Sequence, residues 1–79
     1  MPTVREARRF AVQALREAGI ETAGLDARLL LEGSLGTRDL DPDQVLDAAA
    51  TAAFDGFLRR RRAGEPVWRI LGEREFWGL

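Results

Sequence analysis

The side chains best equipped for chemistry in this chain are arginines and a few carboxylates. Arg59, Arg60, Arg61 and Arg62 are consecutive, Arg5, Arg9 and Arg16 recur at helical spacing, and Glu65, Glu73 and Glu75 gather towards the end. A guanidinium stays charged at any physiological pH and offers a planar fork of donors, so its chemistry is recognition of carboxylate or phosphate, not proton transfer. The three glutamates are too few and too local to act as an acid–base pair on a substrate. The sequence has no histidine and no cysteine, which removes the commonest general base, the thiolate nucleophile and the usual metal ligands. No catalytic, cofactor-binding or metal-binding residue is therefore expected within these positions.

Each basic group has a plain reading beside the sharper one. Four consecutive helical residues point in four directions about 100° apart, so Arg59 to Arg62 cannot form one patch. They fall in a helix's last turn, where cations favourably meet the dipole, and helix-end stabilisation is the first reading, with partner contact second and nucleic acid third. Arg5, Arg9 and Arg16 form a basic row on the outside of the first helix, either as a solvated face or as an electrostatic aid to docking. Trp68 is read as filling the core or the bundle edge, ahead of serving as a binding anchor. The candidate partner contacts are Arg5, Arg9, Arg16, Arg60, Arg61, Trp68 and Arg69.

The 79 residues amount to one small domain, 46 % hydrophobic, with a formal charge of −1. A domain of that size buries about 60–65 % of its unfolded surface, a thin stability margin. Near-balanced charge gives no bulk pull towards nucleic acid. No apolar run approaches the ~20 residues that cross a bilayer, and the start lacks the basic-then-apolar order of a signal peptide, so a cytoplasmic address is the default expectation.

The elements that must position these groups read as helices. Thr3 and Glu6 have capping-box spacing, and Val4, Ala7, Ala11, Ala14, Leu15 and Ala18 make an apolar stripe with Phe10 at its edge, predicting a helix over 4–18 that stops at Gly19. A second helix is expected over 23–34, capped by Thr22 and ended by Gly36, and its apolar residues on most sides place it at the bundle centre. Within it, Asp26 either meets the helix dipole or pairs with an arginine. Thr37 to Leu40 reads as a short turn or a single helical turn. Asp41-Pro42-Asp43-Gln44 is the strongest local helix start, with Asp41 as cap and Pro42 at the first position, predicting a helix to about Arg62 that ends at Gly64. Its expected inward face is Leu46, Ala49, Ala50, Ala53 and Phe57, flanked by Phe54 and Leu58. Val67 to Leu71 is expected to add one or two turns before Gly72. Phe76 and Trp77 have two readings: their rings cover the end of the helical core, or, as their preference for extended backbone suggests, they belong to a linker strand whose sheet lies in a domain that would follow.

Arg60-Arg61-Arg62-Ala63-Gly64-Glu65-Pro66, Ile70-Leu71-Gly72 and Arg74-Glu75-Phe76-Trp77-Gly78-Leu79 together closely resemble the linker of the release-factor glutamine methyltransferases, the HemK/PrmC family. Leu25-Asp26-Ala27-Arg28-Leu29-Leu30-Leu31 with Gly36 looks like that family's second helix. The family pattern departs at Trp68-Arg69, where a small residue and then an aromatic are usual. The resemblance implies a non-catalytic N-terminal bundle that helps to hold a release factor. A following Rossmann-like domain would use S-adenosylmethionine to methylate the glutamine amide of a Gly-Gly-Gln motif. None of that domain's cofactor or catalytic motifs has a counterpart in these positions.

The expected fold is all-α, a bundle of about four to five short helices with a β-prone C-terminal linker segment. Positions 1–72 would be the helical domain, and 73–79, with Phe76 and Trp77, the start of the linker to an absent methyltransferase domain. The expected partners are a release factor and that domain, with neither membrane nor nucleic acid. The rival functions are a free-standing nucleic-acid or ribosome-binding module and a purely stabilising accessory domain.

Overall fold

A computed structural model describes residues 1–72; the expected linker strand, with Phe76 and Trp77, lies outside the described residues. Among the described residues the chain forms four helices: α1 Val4–Glu17, α2 Ala23–Leu35, α3 Ala48–Arg62 and the single turn α4 Val67–Ile70. Helix α2 packs against each of the other three, and α1 also touches α3. The small bundle read from the sequence is what forms, with α2 at its centre.

Helix α1 begins as its local chemistry dictates. Glu6 N–H donates to Thr3 Oγ1 at 3.2 Å, and Thr3 N–H donates to Glu6 Oε1 at 2.9 Å. Val4, Ala7, Ala11, Ala14 and Leu15 are buried, while Phe10 is 62 % exposed. Across the interface, Ala23, Ala27, Leu30 and Leu31 of α2 are also buried. Small side chains on both helices allow close approach, and the leucines supply the apolar area that drives the packing. The same closeness recurs at Gly33, where a Cβ would come within 2.6 Å of Leu71 Cδ2. Helix α2 ends on Gly36 at φ 69°. Its start differs from expectation: Thr22 makes no side-chain bond to the helix backbone but donates its hydroxyl to Asp26 Oδ2 at 2.9 Å.

The expected start of α3 at Asp41-Pro42 is corrected. Residues 41–47 are a non-helical segment, and α3 begins at Ala48 with Asp47 as its cap, Ala50 N–H donating to Asp47 Oδ1 at 2.8 Å. Asp41 instead closes a turn, accepting from Asp43 N–H on its side chain and from Gln44 N–H on its carbonyl. The carbonyls that a helix would have used internally go to the start of α1. Val4 N–H donates to Gln44 O at 2.8 Å, Arg5 N–H to Pro42 O at 3.0 Å, and Leu46 N–H to Pro2 O at 2.8 Å. The first N–H groups of a helix lack internal partners, so this long-range pairing satisfies donors that a longer α3 would have left to water.

That shift also changes which face of α3 is inward. Ala50, Phe54 and Leu58 form the buried i, i+4, i+8 line, Ala49 is exposed, and Ala53 and Phe57 are half-buried. Leu46 remains fully buried but arrives from the extended segment, so it no longer sets the helix phase. Thr37 to Leu40 is a turn without helix, held in part by Asp39 N–H donating to Thr37 Oγ1 at 3.0 Å.

Candidate functional site

The end of α3 and the turn after it are held by ion pairs. Gly64, at φ 107°, takes a backbone conformation that side chains resist and reverses the chain, with Glu65 N–H donating back to Arg60 O at 3.1 Å. The reversal puts the Glu65 carboxylate against Arg60, which meets it with two donors, Nε to Oε1 at 2.8 Å and Nη2 to Oε2. Arg69 Nε stands 3.7 Å from Glu65 Oε2. Arg61 turns the other way and donates from Nε to Asp26 Oδ2 at 2.9 Å and from Nη1 to the Glu65 carbonyl at 3.3 Å. Asp26 is only 5 % exposed, so the dipole-or-arginine alternative resolves as a largely buried pair with Arg61. The arginine run thus divides, as its angular spacing requires.

The bond from the Arg60 guanidinium, aided by the positive charges of Arg60 and Arg69, holds the Glu65 carboxyl below its ordinary range against the opposing effect of burial. A carboxyl lowered on folding stabilises the folded state above its unfolded pKa, and that contribution disappears as pH falls through the lowered value. Glu65→Gln is therefore expected to flatten part of the acid limb of a stability–pH curve while leaving the limb above the carboxylate range in place. Thermal melts across the acid range read this directly, and identical acid limbs in both proteins would refute it.

The outer face of α1 carries the second cluster. Arg5, Arg9 and Arg16 come together there, joined by Arg8, around an open groove of about 860 Å³ whose apolar lining includes Val12, Leu40 and Pro42. Arg5 Nη1 donates to Asp43 Oδ1 at 2.8 Å, a pair 54 % and 77 % exposed and so of little energetic weight. Arg8, which the sequence reading did not single out, also lines an adjoining groove of about 760 Å³ that shares Leu40 and reaches Leu29, Val67, Trp68 and Leu71. Helical spacing alone pointed to it: Arg8 precedes Val12 by one turn on the same face. The relevance of Leu40 and Pro42 had no local signal, because the non-helical stretch 37–47 carries them to the groove.

Trp68 does not fill the core, and that expectation is corrected: it is 75 % exposed. In a single turn, Val67, Ile70 and Leu71 share one face by their spacing, with Ile70 and Leu71 5 % and 3 % exposed and Val67 half-buried against the core. Trp68 is rotated by about 100° from Val67 and lines the second groove instead. The structure thus gathers the candidate residues into three places. Arg5, Arg9 and Arg16 stand on α1, Arg60, Arg61 and Arg69 stand around the Glu65 turn, and Trp68 lies beside Arg8 and Leu40. No helix of the described residues is long and apolar enough to cross a membrane.

Comparison with known proteins places the chain. The family model of the PrmC N-terminal domain matches residues 6–72. A release factor glutamine methyltransferase of Bradyrhizobium diazoefficiens is 45 % identical over 98 % of this chain and 27 % of its own length. Those of Vibrio cholerae and Caulobacter vibrioides are each 40 % identical, over 98 % and 87 % of this chain and 28 % and 25 % of theirs. The chain spans about a quarter of the length of these relatives. No solved structure matches it significantly. Because the family match runs from the first turn of α1 through α4 and takes in the ion-paired Glu65 turn, the chain belongs to the PrmC N-terminal domain family.

Proposed function

We infer that this domain binds a peptide chain release factor and orients it for a methyltransferase domain that follows. That second domain would transfer a methyl group from S-adenosylmethionine to the glutamine of the release factor's Gly-Gly-Gln motif, in the cytoplasm. The observation that carries the reading is the match of nearly the whole chain to about a quarter of the length of relatives named for that reaction, together with the match to the PrmC N-terminal domain. The domain's own contribution is positional: holding the substrate lowers the entropic cost of bringing one glutamine to the cofactor. Arg5, Arg9, Arg16, Trp68 and Arg69 have exposed side chains suited to that contact. Arg60 and Arg61 act chiefly by fixing the Glu65 turn, from which the chain runs on towards Phe76, Trp77 and the second domain.

Removing residues 1–72 from the parent methyltransferase is expected to raise KM for the release factor while leaving affinity for S-adenosylmethionine in place. Loss of binding energy from a remote substrate contact shows in kcat/KM. An unchanged KM with a lower melting temperature would make the domain a stabiliser and end this reading.

A further inference from the structure

We propose that the groove on the outer face of α1 is a docking site for an acidic, amphipathic protein segment. Its lining carries Arg5, Arg8, Arg9 and Arg16 against one carboxylate, Glu17, and with the Asp43 that pairs with Arg5 the local charge is +2, from four positive and two negative side chains. The whole chain carries −1, so positive charge is concentrated on this face. Arg8, Arg9 and Arg16 make no ion pair with any described residue, and Glu17 already accepts from Gln13 at 3.3 Å. Between the arginines, Val12, Leu40 and Pro42 offer an apolar strip, with Val12 and Leu40 anchored on the core behind.

Charge and strip together define the occupant. Guanidinium forks fit carboxylates in two-point contacts, and the apolar floor rewards a ligand that brings aliphatic side chains between its acids. The floor presents no aromatic face on which a base could stack, which disfavours single-stranded nucleic acid. From Arg5 to Arg16 the helix rises about 16 Å, the length of roughly three turns of a partner helix laid alongside. The release-factor reading enters only in naming the protein that carries such a segment.

The test uses the isotope-labelled 79-residue chain and a helical peptide of about twelve residues built from Glu, Leu and Ala. Backbone shifts are expected at Arg5 to Arg16 and Leu40. The Lys-for-Glu peptide is expected to leave these amides in place. The triple variant Arg8→Glu/Arg9→Glu/Arg16→Glu, which changes exposed side chains only, should weaken binding by about tenfold or more, and the neutral Arg→Gln triple by less. Equal binding of the acidic and basic peptides, or displacement of the acidic peptide by an equally long oligonucleotide, overturns the proposal. A release factor that shifts the same amides supports it. One that binds but shifts amides elsewhere overturns the groove and leaves the release-factor reading standing. One that shifts nothing, while the acidic peptide still binds, upholds the groove and removes the release-factor reading.

Discussion

Replacing Asp26 with alanine is expected to destabilise the domain by about 2–3 kcal/mol. Removing one member of a buried ion pair costs about 3–5 kcal/mol when the abandoned charge has no recourse to water. The Arg61 side chain is 20 % exposed and keeps its bond to the Glu65 carbonyl, which reduces the penalty without cancelling it. Thr22 loses its acceptor as well. Arg61→Ala should cost less, since it leaves Asp26 its bond from Thr22, and the double variant should cost less than the sum, with a coupling of about 1–2 kcal/mol. The consequence reaches beyond stability. Arg61 ties the start of α2 to the Glu65 turn, so the amides of residues 64–71 are expected to shift in Asp26→Ala although the mutated side chain bonds to Thr22 and Arg61. A variant that melts like the parent and leaves those amides unmoved would show that the pair neither stabilises nor positions.

Leu30→Ala is expected to be at least as costly, about 3 kcal/mol within the ~2–5 range for buried leucines. Leu30 is fully buried in the central helix and belongs to a cluster drawing on all four helices, so the surroundings cannot collapse onto the cavity without moving a second helix. A domain of this length has a total stability of about 4–12 kcal/mol, and a loss of that size corresponds to a melting temperature lower by roughly 12–24 °C. Leu25→Ala is the matched control: at 51 % exposure it should change stability by no more than about 0.5 kcal/mol. Urea unfolding of the three proteins separates these outcomes, and equal midpoints for Leu30→Ala and Leu25→Ala would contradict α2 as the structural centre.

Much of this fold can be read from local chemistry. Thr3 and Glu6 cap α1 from three positions apart, and Gly19 and Gly36 stand at the ends of α1 and α2 with positive φ. The leucines of α2 announced a helix enclosed by others, and the Gly64-Glu65-Pro66 stretch marked the turn that carries the family resemblance. These features share one cause: the groups that decide them lie within one or two turns of each other, so their energies do not depend on what the rest of the chain does.

Other features depend on partners far along the chain. Asp41-Pro42 has the chemistry to start a helix, and its chemistry is equally satisfied by a turn. What decides between them is the start of α1, about 40 positions away, whose unpaired N–H groups take the Pro42 and Gln44 carbonyls. Asp26 had two local alternatives, and Arg61, 35 positions on, selects one of them. Trp68 looks like core filler by residue type, yet the face taken by Val67, Ile70 and Leu71 leaves it outside. The groove on α1 arises the same way, since the non-helical stretch 37–47 brings Leu40 and Pro42 beside Val12 and turns a basic row into a lined surface. Short-range patterns thus determined the helices and most of their ends, because helix initiation and termination are settled within a turn. Tertiary structure alone decided which donors meet which acceptors between elements, because several local solutions were close in energy and long-range hydrogen bonds and burial broke the tie.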